Sequence, residues 1–383
     1  MELTGVEHAV VAIDGSGQHA YNQVNVRRIA SGRLAAVFNE ERFPFHHDSG
    51  QTVLITSDDD GATWTAPSVV LPFTATTGNW DCGICELGDG TLLVNFTMAG
   101  YFKRGIRPEQ PSWTRGPMTE AHGDWTWAYK TMGWLGTYTV RSTDGGVTWG
   151  APVPVNARPL KHAGCRLGAW LTGEGSLLLG VYGRIRGYGE EGENESTRSA
   201  LLRSDDGGYN WEYYATMAYD PASIVDFEEP AIVRLGDGRL VGALRTHVNP
   251  SGDAKNLAFV VSEDDGFSWS PPKFSNVWGY PAEFATLPDG RVLMIYGYRR
   301  PPYGVRGIVS ADGVTWDRAR EFTIREGGVP ARYAANPGIY QHIGYPSVTL
   351  LGDGRALAMY HEYTDDADGH LQHIVQTRFE VPS

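Results

Sequence analysis

The sequence predicts an all-β fold, a six-bladed β-propeller of four-stranded antiparallel blades. The first observation is the turn SDDDGATW at residues 57–64, which returns in altered form as STDGGVTW, SDDGGYNW, SEDDGFSW and SADGVTW. The second is a hairpin pattern in which an apolar strand, a tight turn ending in glycine and another apolar strand recur. The third is the lack of a sustained helical apolar period, whereas runs such as LLVNF and LLLGVY are typical of short buried strands.

The hairpin turns set the size of the repeat. Asp-Gly between apolar runs favours a hairpin, because glycine tolerates the positive φ that such turns require. Six hairpins in 383 residues leave roughly 64 residues each, a little above the size of a four-stranded propeller blade. The turn glycines are Gly32, Gly90, Gly175, Gly238, Gly290 and Gly354.

We interpret the repeated aspartate turn as scaffold. Five blades carry it, and we expect it to join the third strand to the fourth, with Asp accepting backbone N–H bonds and Trp packing between sheets. After Gly354 the chain offers only HIVQTRFEV as a further strand. We therefore expect an N-terminal strand near HAVVAI to complete the last blade and close the ring, which removes exposed edges.

We expect a single propeller domain over residues 1–383 with two insertions. The insertion near residues 99–136 is too aromatic for a disordered linker, so we predict an ordered loop over one face. The insertion near residues 183–199, GRIRGYGEEGENESTRS, is polar and predicted to be more mobile. The tryptophans of the first insertion are Trp113, Trp125, Trp127 and Trp134.

Charge and composition restrict the partners. A formal net charge of −13 without a basic run disfavours nucleic acid and anionic membranes. The N-terminus lacks a basic start followed by an apolar core, and no stretch approaches the ~20 apolar residues of a membrane span. We therefore expect a soluble cytoplasmic protein whose partner is an oligosaccharide or glycoconjugate substrate, while the oligomeric state stays open.

Neither a metal nor another cofactor is expected. Cys82 and Cys85 form a C-x-x-C inside a strand-like run without a second pair, so we predict that they and Cys165 are buried thiols. The HHD cluster at residues 46–48 lacks a third, separately spaced ligand group, which disfavours a metal site there.

Strand arithmetic gathers polar residues at one mouth of the central channel. The innermost strand of each blade lines the channel. The start of this strand, the end of the second strand and the start of the third strand all lie at the mouth opposite the hairpin turns. Nine residues before the turn glycines stand Gln23, Asp81, Arg166, Glu229 and Tyr345, with Tyr280 ten before Gly290. Seven residues after them stand Asn39, Thr97, Tyr182, Arg245, Gly297 and His361. The third strands add Arg306 to this mouth. The loop that enters the first of these third strands adds His46, His47 and Asp48.

Taken singly, these residues also fit structural roles. Glu229 and Arg245 fit an ion pair within one blade, Tyr345 a core tyrosine and HHD a solvated loop. Taken together, polar side chains that face one channel need partners or a ligand, so the set predicts a binding or catalytic site.

The aspartate turns resemble the Asp-boxes of the sialidase (neuraminidase) superfamily, whose propellers carry BNR repeats. EEPAIVRLGDGRLVGALR resembles the family segment with the glutamate partner of the nucleophile and a carboxylate-binding arginine, which match Glu229 and Arg245. GVRGIVSADGVTW resembles the segment of the last triad arginine, matching Arg306. GYPSVTLLGDGRALAMYHE resembles the segment of the catalytic tyrosine, matching Tyr345. Asp48 stands where the family has its acid/base aspartate.

The first arginine of the family triad has no match. Gln23 stands near its place, and the RRI at residues 27–29 lies too close to Gly32 to match comfortably. Arg166, or Arg27 or Arg28 after a register shift, could substitute.

The resemblance implies a sialidase-like, exo-acting glycoside hydrolase that releases a terminal acidic sugar. Tyr345 would be the nucleophile, Glu229 its base and Asp48 the general acid/base. Arg245 and Arg306 would hold the substrate carboxylate by charge-assisted bonds. The other candidate substrate-binding residues are Arg166, Gln23, His47, Trp80, Asp81, Tyr280 and His361.

Two alternatives stay open on the same propeller. The first is a polysaccharide lyase or a neutral-sugar glycosidase of the rhamnosidase or arabinanase kind, with His47 or His361 acting beside Arg166 or Arg245. The second is a non-catalytic glycan-binding propeller with Trp80, Trp113 and Trp125 stacking on sugar faces. A protein-binding propeller fits the polar channel less well.

Overall fold

Six β-sheets form a ring in the computed structural model, which describes residues 3–16, 19–41, 50–74, 77–104, 130–185, 195–249, 255–329, 343–363 and 372–383. Blade 1 contains β2 (Ala20–Arg28), β3 (Leu34–Glu41), β4 (Gln51–Ser57) and β5 (Ser68–Leu71). Blade 2 contains β6 (Thr77–Glu86), β7 (Leu92–Arg104), β8 (Lys130–Ser142) and β9 (Val153–Pro154). Blade 3 contains β10 (Lys161–Cys165), β11 (Trp170–Leu171), β12 (Leu177–Arg184), β13 (Arg198–Ser204) and β14 (Glu212–Ala218).

The other three blades follow the same plan. Blade 4 contains β15 (Val225–Arg234), β16 (Leu240–Val248), β17 (Ala258–Ser262) and β18 (Lys273–Phe274). Blade 5 contains β19 (Ala282–Thr286), β20 (Val292–Tyr298), β21 (Gly304–Ser310) and β22 (Phe322–Glu326), with a 3₁₀ turn at Arg318–Arg320. Blade 6 contains β23 (Gly344–Leu350), β24 (Ala356–Tyr363), β25 (Gln372–Phe379) and β1 (Glu7–Ala12).

This architecture confirms the predicted six-bladed, all-β propeller. All recorded strand pairs within the blades are antiparallel, and in blade 3 the innermost strand is divided into β10 and β11, which both pair with β12. The predicted closure is also confirmed, because β1 pairs antiparallel with β25 as the fourth strand of blade 6. The N-terminal strand thereby covers the edge that blade 6 would otherwise expose.

The hydrophobic core lies between neighbouring blades. Val37 and Leu54 of blade 1 pack with Ile84 and Val94 of blade 2, and comparable clusters join the other blades. Each sheet is therefore covered on both faces, which explains why the strands have near-continuous apolar sequences.

The aspartate turns join the third strand of a blade to the fourth, as predicted. In the first of them, Asp59 Oδ1 accepts a 2.8 Å hydrogen bond from the Thr63 N–H, and Ser57 Oγ accepts a 2.8 Å bond from the Gly61 N–H. Gly266, in the fourth, shows why glycine recurs: its φ is 86°, and a Cβ there would lie 2.7 Å from Leu201 Cδ2 of the preceding blade. The repeated turn therefore closes a blade and packs against its neighbour.

Parts of both predicted insertions lie outside the described residues. These parts are residues 105–129 of the first and 186–194 of the second, so their predicted order and mobility stay predictions. Among the described ranges, no helix has the length and apolar character needed to cross a membrane.

Candidate active site

Four inner strands carry an unusual backbone conformation at the position nine residues before the turn glycine. Gln23, Asp81, Glu229 and Tyr345 have φ values of 56°, 54°, 46° and 47°. The register with the second strand shifts beside each of them, which marks a β-bulge. Positive φ is costly for side chains other than glycine, and bulges near active sites re-aim side chains. The spacing chosen from the sequence thus coincides with a repeated structural device.

Tyr345 and Glu229 are in direct contact. Tyr345 Oη donates a 3.1 Å hydrogen bond to Glu229 Oε1, and both residues are buried. Arg245 Nη1 donates to the same Glu229 oxygen at 2.8 Å and to Tyr345 Oη at 3.3 Å. Glu229 Oε2 is buried and has no hydrogen-bond partner among the residues that the structure describes. One guanidinium group therefore bridges the phenol and the carboxylate, while the second carboxylate oxygen has capacity for a further hydrogen bond.

A second row of polar groups continues from Arg245. Arg245 Nε donates to His247 Nε2 at 3.2 Å, and His247 Nδ1 lies 3.2 Å from Glu228 Oε2. Burial acts to raise the pKa of Glu228, but the hydrogen bond with His247 and the nearby basic groups outweigh it and lower the pKa to about 2. Glu228 is therefore ionised at neutral pH.

Arginine and aromatic side chains surround the tyrosine. Arg299 Cζ lies 4.4 Å from the centroid of the Tyr345 ring and 5.1 Å from that of Tyr280. Arg245 Cζ lies 4.5 Å from the Tyr280 centroid, and His361 stacks on Tyr345 at 5.8 Å. Tyr280 is partly exposed. The arrangement places positive charge and an aromatic surface beside the phenol.

Arg166 is enclosed in the wall of the channel. Its guanidinium donates to the carbonyl oxygens of Ala282 and Pro346 at 3.1 and 2.7 Å, and its Cζ lies 5.5 Å from the Tyr345 ring centroid. Burial lowers the pKa of Arg166, although nearby carboxylates such as Glu283 act against this. Its predicted contact with substrate stays a prediction, and the contacts seen here link blades 3, 5 and 6.

In the described part of the chain, the contacts of Arg306 lie within blade 5 rather than with Tyr345, and its predicted hold on a substrate carboxylate stays a prediction. Its Nη1 donates to Thr323 Oγ1 at 2.6 Å, its Nε lies 3.9 Å from Glu321 Oε1, and its Cζ lies 4.5 Å from the Tyr298 ring centroid. All of these partners belong to blade 5. The register of β21 and β22 shifts between Val305 and Arg306, and Arg306 stands directly opposite Thr323 in that pairing.

The remaining candidate substrate-binding residues in the described part of the chain lie in blades 1, 2 and 6. They are Gln23, Trp80, Asp81 and His361. Gln23 Oε1 accepts a 3.3 Å hydrogen bond from the Asp81 N–H, and the Gln23 N–H donates to His361 Nδ1 at 3.2 Å. Gln23 Nε2 is buried and has no hydrogen-bond partner in the described part of the chain. Trp80 is fully buried, so its ring presents no face for a sugar to stack on.

Several predicted residues lie outside the described ranges, and their roles stay predictions. His46, His47 and Asp48 fall in residues 42–49, and Trp113 and Trp125 fall in residues 105–129.

The cysteines are free and buried, as predicted. Burial raises the pKa of Cys85 and of Cys165 to about 12 and raises the pKa of Cys82 well above its ordinary value. The described residues contain no group of three or more His, Cys, Asp or Glu side chains that could hold a metal ion.

Residues 118–359 match the family described as BNR repeat-like domain. The chain belongs to the BNR repeat-like family. A search of curated proteins found no match for this BNR repeat-like chain.

Solved structures resemble the BNR repeat-like chain over nearly its full length. A protein of unknown function from Dyadobacter fermentans has a TM-score of 0.75 and 25% identity, with 99% of this chain and 100% of that one covered. A sialidase from Streptococcus pneumoniae has a TM-score of 0.65 and 15% identity, covering 97% and 70%. An α-L-arabinanase from Penicillium chrysogenum has a TM-score of 0.60 and 13% identity, covering 98% and 98%. The predicted sialidase-like BNR propeller is confirmed at the level of fold.

Sequence reasoning missed three polar residues of this BNR repeat-like site. His247 stands two residues after Arg245 on β16 and therefore points to the same side of the strand. Arg299 stands two residues after Gly297, the side-chain-free position that the spacing selected. Glu228 directly precedes Glu229. The bulge between Glu228 and Ala231 includes Glu229, and both carboxylates lie near Arg245. The period of two, extended past Arg245 along β16, was the available signal for His247.

Proposed function

We propose that the protein is a glycoside hydrolase that releases a terminal acidic sugar, with Tyr345 as nucleophile and Glu229 as its base. The observation that carries this proposal is the 3.1 Å hydrogen bond from Tyr345 Oη to Glu229 Oε1, with Arg245 bonded to both. A phenol with its ordinary pKa near ~10 is a weak nucleophile at neutral pH, so a tyrosine nucleophile needs an adjacent base.

In the proposed reaction, Tyr345 Oη attacks the anomeric carbon while its proton moves to Glu229. The bond to the leaving oxygen breaks, and that oxygen receives a proton from a general acid, the role proposed for Asp48. Water then attacks the anomeric carbon of the glycosyl-enzyme and gives its proton to the now deprotonated general acid, while the bond to Tyr345 Oη breaks and Glu229 returns the proton to the phenol oxygen. Arg245, bonded to Oη, stabilises the negative charge that develops on the phenol oxygen.

The arginines beside the phenol favour an acidic sugar. Arg245 and Arg299 both lie over aromatic rings of the site, and a phenol carries no charge that would repel a substrate carboxylate at the reacting carbon. The structurally similar Streptococcus pneumoniae protein is a sialidase. We therefore propose a sugar whose carboxylate is next to the anomeric carbon as the first substrate to test.

A neutral-sugar glycosidase is the second candidate, and one observation favours it. Gln23 offers a neutral amide near the place where the sialidase resemblance calls for an arginine, and its buried Nε2 has no partner among the described residues. An amide donor suits a hydroxyl group of a neutral sugar, whereas a carboxylate is better matched by guanidinium. The similar arabinanase from Penicillium chrysogenum supports keeping this candidate.

The deciding experiment is product analysis with a panel of glycans. The protein is incubated with sialosides, uronate-ended oligosaccharides, and neutral arabino- and rhamno-oligosaccharides, and the products are identified by mass spectrometry and ultraviolet absorbance. A saturated acidic monosaccharide, released by the parent and not by Tyr345→Phe, supports the proposal. A neutral monosaccharide supports the second candidate, and an unsaturated uronate or activity that persists in Tyr345→Phe overturns the proposed mechanism.

A further inference from the structure

Five side chains form a continuous hydrogen-bonded row at the site. Glu228 Oε2 lies 3.2 Å from His247 Nδ1, and His247 Nε2 lies 3.2 Å from Arg245 Nε. Arg245 Nη1 in turn reaches Glu229 Oε1 at 2.8 Å and Tyr345 Oη at 3.3 Å. The orientation of Arg245 is therefore fixed from two sides, by Glu229 and Tyr345 on one side and by His247 on the other.

The row requires one particular form of His247. The Arg245 Nε–H group donates, so His247 Nε2 must keep its lone pair and the ring proton must be on Nδ1. The Nδ1–H group then donates to Glu228, which is anionic. Along the row, an anionic Glu228 is followed by a neutral His247 and a cationic Arg245. An anionic Glu229 and the neutral phenol of Tyr345 complete it. A proton added to His247 Nε2 removes the acceptor for Arg245 and places two cations side by side.

We infer that His247 is a positioning residue that, in its neutral Nδ1–H form, holds Arg245 against Glu229 and Tyr345 and releases it on protonation. The effect on Arg245 stands on the geometry alone, while its consequence for hydrolysis rests on the proposed function. A substrate would therefore be processed less well once His247 has taken up a proton.

The surroundings of His247 set how easily it accepts that proton. Glu228 and the cross-strand partner Asp226 face it from β15, and both favour the protonated ring. Arg245 on its own strand opposes protonation, and so does Arg184 of β12, whose Nη2 lies 3.7 Å from Asp226 Oδ1. The Tyr280 ring approaches edge-on at 5.5 Å from the segment before β19. Acidic and basic groups thus oppose each other around a ring that is 8% exposed.

The first test reads Arg245 directly and needs no substrate. The Nε–H signals of the arginines are followed by ¹H–¹⁵N NMR of the full chain, with the Arg245 signal assigned from its loss in Arg245→Lys. In the parent protein we expect this signal at neutral pH and expect it to shift or exchange away as His247 takes up a proton. His247→Gln keeps an amide oxygen as acceptor and should hold the signal at every pH, whereas His247→Phe should lose it throughout.

Matched controls separate positioning from general destabilisation. His373 is also buried and contacts Glu362 at 3.6 Å, away from this row, so His373→Gln should leave the Arg245 signal and its pH response unchanged. An Arg245 signal in His247→Phe that matches the parent would overturn the inference. If His247→Phe does not fold, the parent titration decides: an Arg245 signal that is indifferent to protonation of His247 overturns it equally.

The second test uses hydrolysis of the substrate found with the glycan panel. We expect the acidic limb of the parent kcat profile to be absent in His247→Gln and kcat of His247→Phe to fall about 10- to 100-fold at neutral pH. An unchanged acidic limb in His247→Gln counts against the inference. A parent protein that hydrolyses no glycan contradicts the proposed function, whereas the NMR result still decides the role of His247.

Discussion

Tyr345 Oη lies 3.1 Å from Glu229 Oε1 although 116 residues separate them in the sequence. The two residues belong to blades 6 and 4, and each stands at a β-bulge with positive φ. Blade 5 lies between these blades in the ring, and its inner strand β19 begins only after Tyr280, whose ring fills the space beside Arg245 and Arg299. The contact therefore depends on the ring of blades and on two strained backbone positions rather than on neighbouring strands.

Tyr345→Phe should abolish hydrolysis while leaving the fold intact. The substitution removes only the phenol oxygen, so we expect the rate to fall at least about 10³-fold while substrate binding changes little. Tyr360→Phe is a matched control, because Tyr360 is also buried and its hydroxyl bonds Thr377 at 2.7 Å, outside the site. Equal loss of kcat in both variants would contradict the assignment of Tyr345.

Glu229→Gln should remove the base but keep hydrogen-bonding groups at its position. An amide oxygen still accepts from Arg245 and Tyr345, but it cannot take up the phenol proton, so we expect a fall in kcat of about 10²- to 10⁴-fold. Glu283→Gln serves as control, because Glu283 is equally buried but contacts Arg27 and the Val348 N–H. The comparison uses kcat corrected for the folded fraction, and a similar loss in both variants would argue against a base at Glu229.

The fold was predictable because its signals are local and repeated. Each aspartate turn specifies its own hydrogen bonds and its contact with the neighbouring blade, as Asp59 and Gly266 illustrate. The spacing of nine residues also worked, because a turn glycine fixes the register of its hairpin and thereby the position that faces the channel. It found Glu229 and Tyr345 at the bulges without any information on distance.

The arginines were harder to predict because their side chains are long and their strands irregular. Arg306 stands opposite Thr323 where the register shifts, and its guanidinium contacts that residue. Arg166 lies in the break between β10 and β11, and its guanidinium contacts the Ala282 carbonyl oxygen. Arg299 follows the end of β20, where no strand period continues to predict its direction. Side-chain direction at such points depends on three-dimensional packing that a spacing rule does not contain.

Arg299→Gln should weaken binding of an acidic substrate more than Arg306→Gln does. Arg299 lies over the Tyr345 ring, whereas the contacts of Arg306 are with Thr323, Glu321 and Tyr298. Loss of one charge-assisted hydrogen bond costs about 1.5–3 kcal/mol, so KM should rise about 10- to 100-fold in Arg299→Gln. A larger rise in KM for Arg306→Gln would reverse the assignment.

The three cysteines should be inert in the native protein. Cys82, Cys85 and Cys165 are buried, and burial raises the pKa of Cys85 and Cys165 to about 12, so the reactive thiolate is scarce at pH 8. A chromogenic disulfide reagent should therefore label none of them in buffer and all three in denaturant. Rapid labelling of one thiol in buffer would show that its site opens.

The aspartate turns should make stability depend on pH in acid. The hydrogen bond from the Thr148 hydroxyl, with that from the Thr148 N–H, lowers the pKa of Asp144 to about 2, and the equivalent bonds from Thr63 lower the pKa of Asp59 to about 2. Because the folded-state pKa lies below the unfolded value near ~3.9, this stabilisation is complete above that value and is lost as the pH falls through about 2.

Urea unfolding at pH 7, 4 and 2.5 should show Asp144→Asn less stable than the parent at pH 7, with the difference narrowing in acid. Thr148→Val, which removes only the hydroxyl donor, should show a smaller effect of the same sign. A difference that stays constant from pH 7 to 2.5 would mean that the charge of Asp144 does not stabilise its turn.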